Sequence, residues 1–196
     1  MRLGLFLMPS HPPERSLYDA QQWDLDCIQL AEKHDLSEAW IGEHFTAPWE
    51  PIPSPDILIA QALMRTKKIK LGAGAHLLPF HHPVELACRV AYIDHLAQGR
   101  YMFGVGSGGL QSDHELFGVD VEKGEHREMT RESLDIIVNL WKHRDGPFRY
   151  EGKFWKVAFP ELRPKPFQKP HPPLVRACIS EKSTVEMARI GRPILL

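Results

Sequence analysis

The sequence has no apolar run near the roughly 20 residues a helix needs to cross a bilayer, and its opening MRLGLFLMPS is too short an apolar stretch for a signal-peptide core. A cytoplasmic location is the expectation. Charge of one sign is also missing. The 24 Lys and Arg stand against 25 Asp and Glu, mixed along the chain, so nothing selects nucleic acid or an anionic membrane as a partner. Cysteine is scarce: Cys27, Cys88 and Cys178 are odd in number, far apart and set in apolar contexts, which predicts buried thiols rather than a disulfide framework. The 11 histidines raise the question of a metal, but no HExxH or paired CxxC occurs, and Asp113, His114 and Glu115 are adjacent residues that would not converge. No metal site is expected. Low-complexity segments and internal repeats are absent as well.

What is present is a chain of 196 residues, ample for a sizeable core but short of the roughly 250 of a full (β/α)8 barrel. Its organising stretch is Lys70 to Leu110, KLGAGAHLLPFHHPVELACRVAYIDHLAQGRYMFGVGSGGL, which reads as strand, helix and glycine-rich strand. Alternation from Ile69 to Leu78 predicts the first strand. Pro83 then suits a first helical turn, and Val84, Ala87, Val90 or Ala91 and Asp94 follow at helical spacing. The second strand covers Tyr101 to Ser107. Gly72 and Gly74 on one strand and Gly104 and Gly106 on the other stand in matching phase, which predicts a flat or bulky ligand approaching the backbone; tight packing of a barrel interior is the alternative.

Taken in order, Leu3 to Met8 reads as a strand buried on both faces, stopped by Pro9. A helix over Asp19 to His34 stacks Trp23, Cys27, Leu30 and Ala31 on one side, and a strand follows at Glu38 to Gly42. The loop from Gly42 to Pro55 holds four prolines, two aromatics, two carboxylates and a histidine, too apolar and stiff for an idle connection. Ser54 can cap the next helix, which has Pro55 at its first position and runs to about Arg65. Gln111 to Gly124 reads as a polar loop, and Glu125 to Lys142 as a helix with Met129, Ser133, Ile136, Ile137, Leu140 and Trp141 on one face. Strand starts to this point recur about every 32 to 34 residues, the spacing of a βα unit. Residues 145–173 break that rhythm and are read as an insertion, with a hairpin in RYEGKFWKV turning at Glu151 to Gly152. A strand at Leu174 to Ile179, a helix at Glu181 to Ile190 and the opening of a sixth strand at Pro193 to Leu196 complete the reading. This is α/β architecture, either an open doubly wound sheet or a barrel.

Several residues could carry chemistry. Gly104, Gly106 and Gly109 satisfy GxGxxG, but three βα units precede them and LQSDHELFG follows instead of an immediate helix, so a dinucleotide fingerprint is rejected. Ser180, Ser183 and Thr184 stand at a helix start that suits either a phosphate or an ordinary cap. Glu43 and His44 fall at the carboxyl end of the second strand, where a barrel holds catalytic side chains; the imidazole could move a proton near neutral pH, or could simply fix its loop. His76 is a further candidate on the glycine-bearing face, while His81 and His82 are expected to anchor a helix start.

With these residues in hand, the blocks WIGEHFTAPWEPIPSPD, KLGAGAHLLPFHHPVELA, QGRYMFGVGSGG and SEKST resemble, in order, the bacterial luciferase-like flavin monooxygenases, most nearly the limonene and diketocamphane monooxygenase branch. The resemblance implies a single (β/α)8 TIM-barrel domain over 1–196, incomplete with strands one to about six present. It implies FMN at the carboxyl ends of the strands, reduced by a separate NAD(P)H:flavin reductase, and a homodimer is expected. Gly74 and Ala75 match the site where the family bends its backbone under the flavin, often through a non-proline cis peptide, with His76 beside them. Gly106 and Ser107 match flavin contacts, and Ser180 and Ser183 match phosphate-binding positions. His44 matches the second histidine of luciferase's EHHF, and Glu43 stands where the first, catalytic one would be; these two are the catalytic candidates. The implied reaction is oxygenation of a small apolar substrate by reduced FMN and O2, in a pocket lined by Met8, Phe45, Trp49 and Phe80. A deazaflavin-dependent oxidoreductase of the same superfamily and a non-catalytic flavin-binding protein are the alternatives.

Overall fold

The chain makes its parallel strands in the order in which they pair, and this sets the architecture. The computed structural model describes residues 3–144, 146–159, 163–178, 180–189 and 193–195. The strands are β1 (Gly4–Leu7), β2 (Glu38–Ile41), β3 (Lys70–Leu77) and β4 (Tyr101–Gly106), then a hairpin of β5 (Phe148–Glu151) and β6 (Lys156–Phe159), then β7 (Leu174–Ala177) and β8 (Ile194–Leu195). Helices α1 (Leu17–Lys33), α2 (Pro55–Arg65), α3 (Pro83–Ala97), α4 (Gln111–Leu116), α5 (Glu125–Lys142) and α6 (Glu181–Arg189) lie between them. One sheet has the order β1-β2-β3-β4-β7-β8, and each recorded pairing in it is parallel. The order never reverses, so the sheet lacks the switch point of a doubly wound fold and winds as the TIM-barrel type does.

Contacts divide the chain into two compact units, Met1–His76 with Arg100–Gly106 and Pro173–Leu196, and Leu77–Gly99 with Ser107–Pro172. In the first, α1 packs on α2, and Leu25, Ile28, Ile59, Leu71, Phe103 and Val105 are wholly buried. Glu32 in the last turns of α1 accepts the backbone N–H groups of Lys67, Lys68 and Ile69 at 2.9, 2.5 and 2.9 Å, fixing where β3 begins. In the second, α3 packs on α5, and Trp141 donates its indole N–H to the Ala87 carbonyl at 3.0 Å. The hairpin is held by α5: Glu132 accepts from the Phe154 and Trp155 N–H groups, and Trp155 donates to the Ser133 hydroxyl at 3.0 Å.

Several sequence expectations need correction. β1 is half-exposed instead of doubly buried, with Phe6 44% exposed, and among the described residues it pairs on one side, with β2. The buried side of α1 is Ala20, Asp24, Leu25, Ile28 and Ala31, while Trp23 and Leu30 face outward. Asp24 can occupy that face because His11 lies 2.9 Å from its Oδ1. The segment read as a polar loop contains α4, which buries Asp113 and His114. The hairpin turns later than Glu151–Gly152, over 152–155, where the Gly152 N–H meets the Trp155 carbonyl at 2.9 Å. All three thiols are free, but only Cys178 is fully buried. Ile179, Ile190 and Leu196, the ends of three expected elements, lie outside the described residues. His82 does anchor α3, its Nδ1 accepting the Val84 N–H at 3.3 Å. Among the described residues no helix is long and apolar enough to cross a membrane.

Candidate active site at the carboxyl ends of the strands

Trp40 explains part of the glycine pattern. It sits in register between Phe6 and Gly72, and a Cβ on Gly72 would lie 2.7 Å from its ring. A Cβ on Gly104 would collide with the Ala73 carbonyl oxygen and stand 3.1 Å from the same ring. A Cβ on Gly74 would lie 2.9 to 3.0 Å from Phe6, Leu195 and the Trp40 Cβ. At these positions protein atoms occupy the space on the Cβ side of the backbone, as the close-packing reading expects. The Gly74–Ala75 peptide is cis.

Just beyond that bend a buried polar cluster forms. His76, wholly buried, follows Gly74 and Ala75 near the end of β3, and its Nδ1 lies 3.4 Å from Glu43 Oε2, an ion-pair distance rather than a short hydrogen bond. Its Nε2 lies 2.8 Å from the Tyr101 hydroxyl and 3.2 Å from Asp56 Oδ1. Tyr101, opening β4, donates to the same Asp56 oxygen at 3.2 Å, and Asp56 is in the first turn of α2. Burial works against a charged ring here, yet Asp56 and Glu43 outweigh it and push the His76 pKa up to about 9.

His44 takes a different course. Its Nε2 is 3.2 Å from Glu50 Oε2, in a half-buried pair, and its N–H donates to the Ile52 carbonyl at 3.0 Å. Both bonds lie within the stiff loop after β2, which is itself tied down where the His11 N–H meets the Trp49 carbonyl at 2.7 Å. Gly106 ends β4 and Ser107 follows it. Ser180 is exposed before α6: its hydroxyl accepts the Ser183 N–H at 3.2 Å and donates to the Ser183 hydroxyl at 3.0 Å, while Thr184 bonds the Ser180 carbonyl at 3.1 Å. These are capping contacts. Of the expected pocket aromatics, Phe45 is half-buried and Trp49 54% exposed, while Phe80, in the second unit, stacks on Phe117 with centroids 4.7 Å apart.

The structure therefore joins Glu43 to His76, and Ser180 to Ser183, and gives His44 its own carboxylate. Sequence reading missed Asp56 and Tyr101. Asp56 looks like a helix-start acid and Tyr101 like a core aromatic, and only a tyrosine hydroxyl in an otherwise apolar strand hinted at a buried partner.

The family profile described as luciferase-like monooxygenase matches residues 1–196. The chain is 36% identical over 160 residues to 2,5-diketocamphane 1,2-monooxygenase 1 of Pseudomonas putida, covering 82% of this chain and 43% of that protein. It is 36% identical over 137 residues to limonene 1,2-monooxygenase of Rhodococcus erythropolis, covering 70% and 36% respectively. Among solved structures, the oxygenating constituent of 3,6-diketocamphane monooxygenase from the CAM plasmid of Pseudomonas putida, a type II Baeyer-Villiger monooxygenase in complex with FMN, superposes with a TM-score of 0.90 at 30% identity. That match covers 99% of this chain and 56% of the relative. The chain thus spans less than half the length of the two curated relatives named. With parallel strands in barrel order and a profile match along its whole length, it belongs to the luciferase-like monooxygenase family.

Proposed function

We propose that this chain carries the flavin-binding side of an FMN-dependent monooxygenase that uses reduced flavin and O2 to oxygenate a small apolar organic substrate. The observation that carries the reading is the placement of Glu43, His44, Gly74, Ala75, His76 and Gly106 at the carboxyl ends of three adjacent parallel strands, in a chain whose solved relative is described with FMN.

The donor set fits such a cofactor. The first turn of α6, a helix of 9 residues, offers the Ser180 and Ser183 hydroxyls and backbone N–H groups, which together suit a phosphate dianion. Gly74 and Ala75, with Gly106 and Ser107, would bear the ring. The side chain of His76 is engaged by Glu43, Asp56 and Tyr101, so its part in binding is through its backbone. When bound, FMN supplies the redox chemistry and the activation of O2. Glu43 and His44 are the chain's catalytic candidates, and His44, with Glu50 at 3.2 Å, can hold or release a proton at Nε2. Met8, Phe45 and Trp49 offer an apolar wall that would exclude water. The name "oxygenating constituent" of the relative supports a separate NAD(P)H:flavin reductase as partner. O2 would be the co-substrate and a homodimer the assembly.

Titration of the chain with FMN, oxidised and then reduced under anaerobic conditions, tests the proposal. Saturable binding that weakens roughly a hundredfold or more in the Ser180→Ala/Ser183→Ala double variant is expected, in line with the loss of two hydrogen bonds to a charged group. Unchanged affinity would remove the phosphate assignment, and binding of a deazaflavin in preference to FMN would transfer the chain to the hydride-transfer branch of its superfamily. His44→Ala should lower oxygen transfer well beyond its effect on flavin binding. Equal loss of both would make His44 a loop-fixing residue.

A further inference from the structure

His76 faces an acceptor from each ring nitrogen. On one side Glu43 Oε2 stands 3.4 Å from Nδ1. On the other, Tyr101 gives its hydroxyl proton to Asp56, leaving its oxygen as an acceptor 2.8 Å from Nε2, with Asp56 Oδ1 at 3.2 Å from the same nitrogen. A neutral imidazole carries one N–H and would turn a lone pair toward one of the two carboxylates, whereas the doubly protonated ring points an N–H at Asp56 and meets Glu43 as an ion pair. The ring of Phe103 covers His76 at a centroid distance of 5.7 Å, and solvent reaches neither His76 nor Tyr101. No water can therefore substitute for a lost partner at low cost.

From this geometry we infer that Asp56 and Tyr101 are positioning residues, which hold a cationic His76 against Glu43 and so fix the carboxylate that stands where the family's catalytic residue would be. The chain of contacts runs from α2 and β4 through β3 to the end of β2. Asp56 suits its place, because a carboxylate in the first helical turn faces the positive end of the dipole. Tyr101 contributes an oxygen that accepts from His76 while its proton is turned to Asp56, so it aligns the two without adding charge. The consequence for Glu43 rests on the functional reading above, while the state of His76 does not.

Histidine-selective nitrogen NMR of the flavin-free chain, titrated from pH 5.5 to 10, tests the inference. In the parent chain His76 should carry protons on both nitrogens through neutral pH; titration at or below the ordinary histidine midpoint of about 6.5 would overturn it. Asp56→Asn, which keeps the shape, should lower the His76 midpoint by roughly one unit or more, and Tyr101→Phe by a smaller amount. A folded Asp56→Asn chain with an unmoved His76 midpoint would reduce Asp56 to a structural cap, the result that sinks the proposal. Should Asp56→Asn fail to fold, Tyr101→Phe and the parent titration decide. Flavin affinity measured on the same variants separates the two readings. A chain that binds no flavin but shows the shifted His76 refutes the function and leaves the network, whereas flavin binding with an ordinary His76 does the reverse.

Discussion

Each unit of the molecule buries histidines, and each solves the problem of a buried imidazole in its own way. In the first unit His76 is wholly enclosed, and the carboxylates of Asp56 and Glu43 stand against it. Attraction exceeds the penalty of burial, and the ring is held as a cation. In the second unit His114 and His126 are 3% and 8% exposed, with ring centroids 5.3 Å apart, and Phe80 stands edge-on to His114 at 5.1 Å. Burial lowers the His126 pKa, and the charges of His114 and Arg127 push it the same way. Among the described residues neither Nδ1 of that pair has a hydrogen-bond partner. His76 is thus drawn toward the charged form and His126 away from it, according to the sign of their neighbours.

The comparison breaks most severely at His76. His76→Leu leaves Glu43 and Asp56 buried without the cation that stands against both, and should cost about 3–5 kcal/mol in urea unfolding, or prevent folding. A loss under about 1 kcal/mol would mean that the carboxylates are not held by the ring. Next in size is the pH dependence of the parent chain. Because the folded pKa of His76 is raised, its contribution is complete below the unfolded value, near 6.5, and is lost as pH rises to about 9. Melting temperature should therefore decline on the alkaline side across that window. The decline should be absent from His76→Leu, and a parallel decline there would assign it to another group. The smallest effect belongs to the second unit. The folded pKa of His126 is depressed, so its contribution is present above the unfolded value and lost as pH falls through it. His126→Phe should change stability by roughly 1 kcal/mol or less at pH 8 and flatten the acid limb of the melting curve. An acid limb that persists unchanged would show that His126 does not titrate in the core.

Legibility in the sequence followed the range of the forces involved. Strands and long helices were readable because their apolar period is a local property: the expected α5 and its buried Ile136, Ile137, Leu140 and Trp141 agree with the fold. The face of α1 was misjudged because Asp24 interrupts it, and the histidine that hydrogen-bonds Asp24 lies 13 residues away in the preceding loop. Helix α4 escaped notice because its buried residues, Asp113 and His114, are polar. The glycines were read as places where a ligand approaches the backbone, with close packing as the alternative, and the sequence could not say that Trp40 and the Ala73 carbonyl stand beside Gly72 and Gly104. At the candidate site, Glu43 and His44 were legible from their place after a strand. Their separation into a His76-bound carboxylate and a Glu50-bound imidazole was not.

By itself the sequence determined the α/β rhythm, the stiff loop after β2, the glycine-bearing strands and the family, since each rests on local pattern or on blocks in a fixed order. Tertiary structure alone decided the charge state of His76. That charge depends on Asp56 and Glu43 and on the alignment by Tyr101, which lies 25 residues from His76 and 45 from Asp56; the Asp56 and Tyr101 oxygens come within 3.2 Å of the ring only when β3, β4 and α2 pack together. Electrostatic energy falls with distance and rises as water is removed, and neither the distance nor the dryness exists before the chain folds.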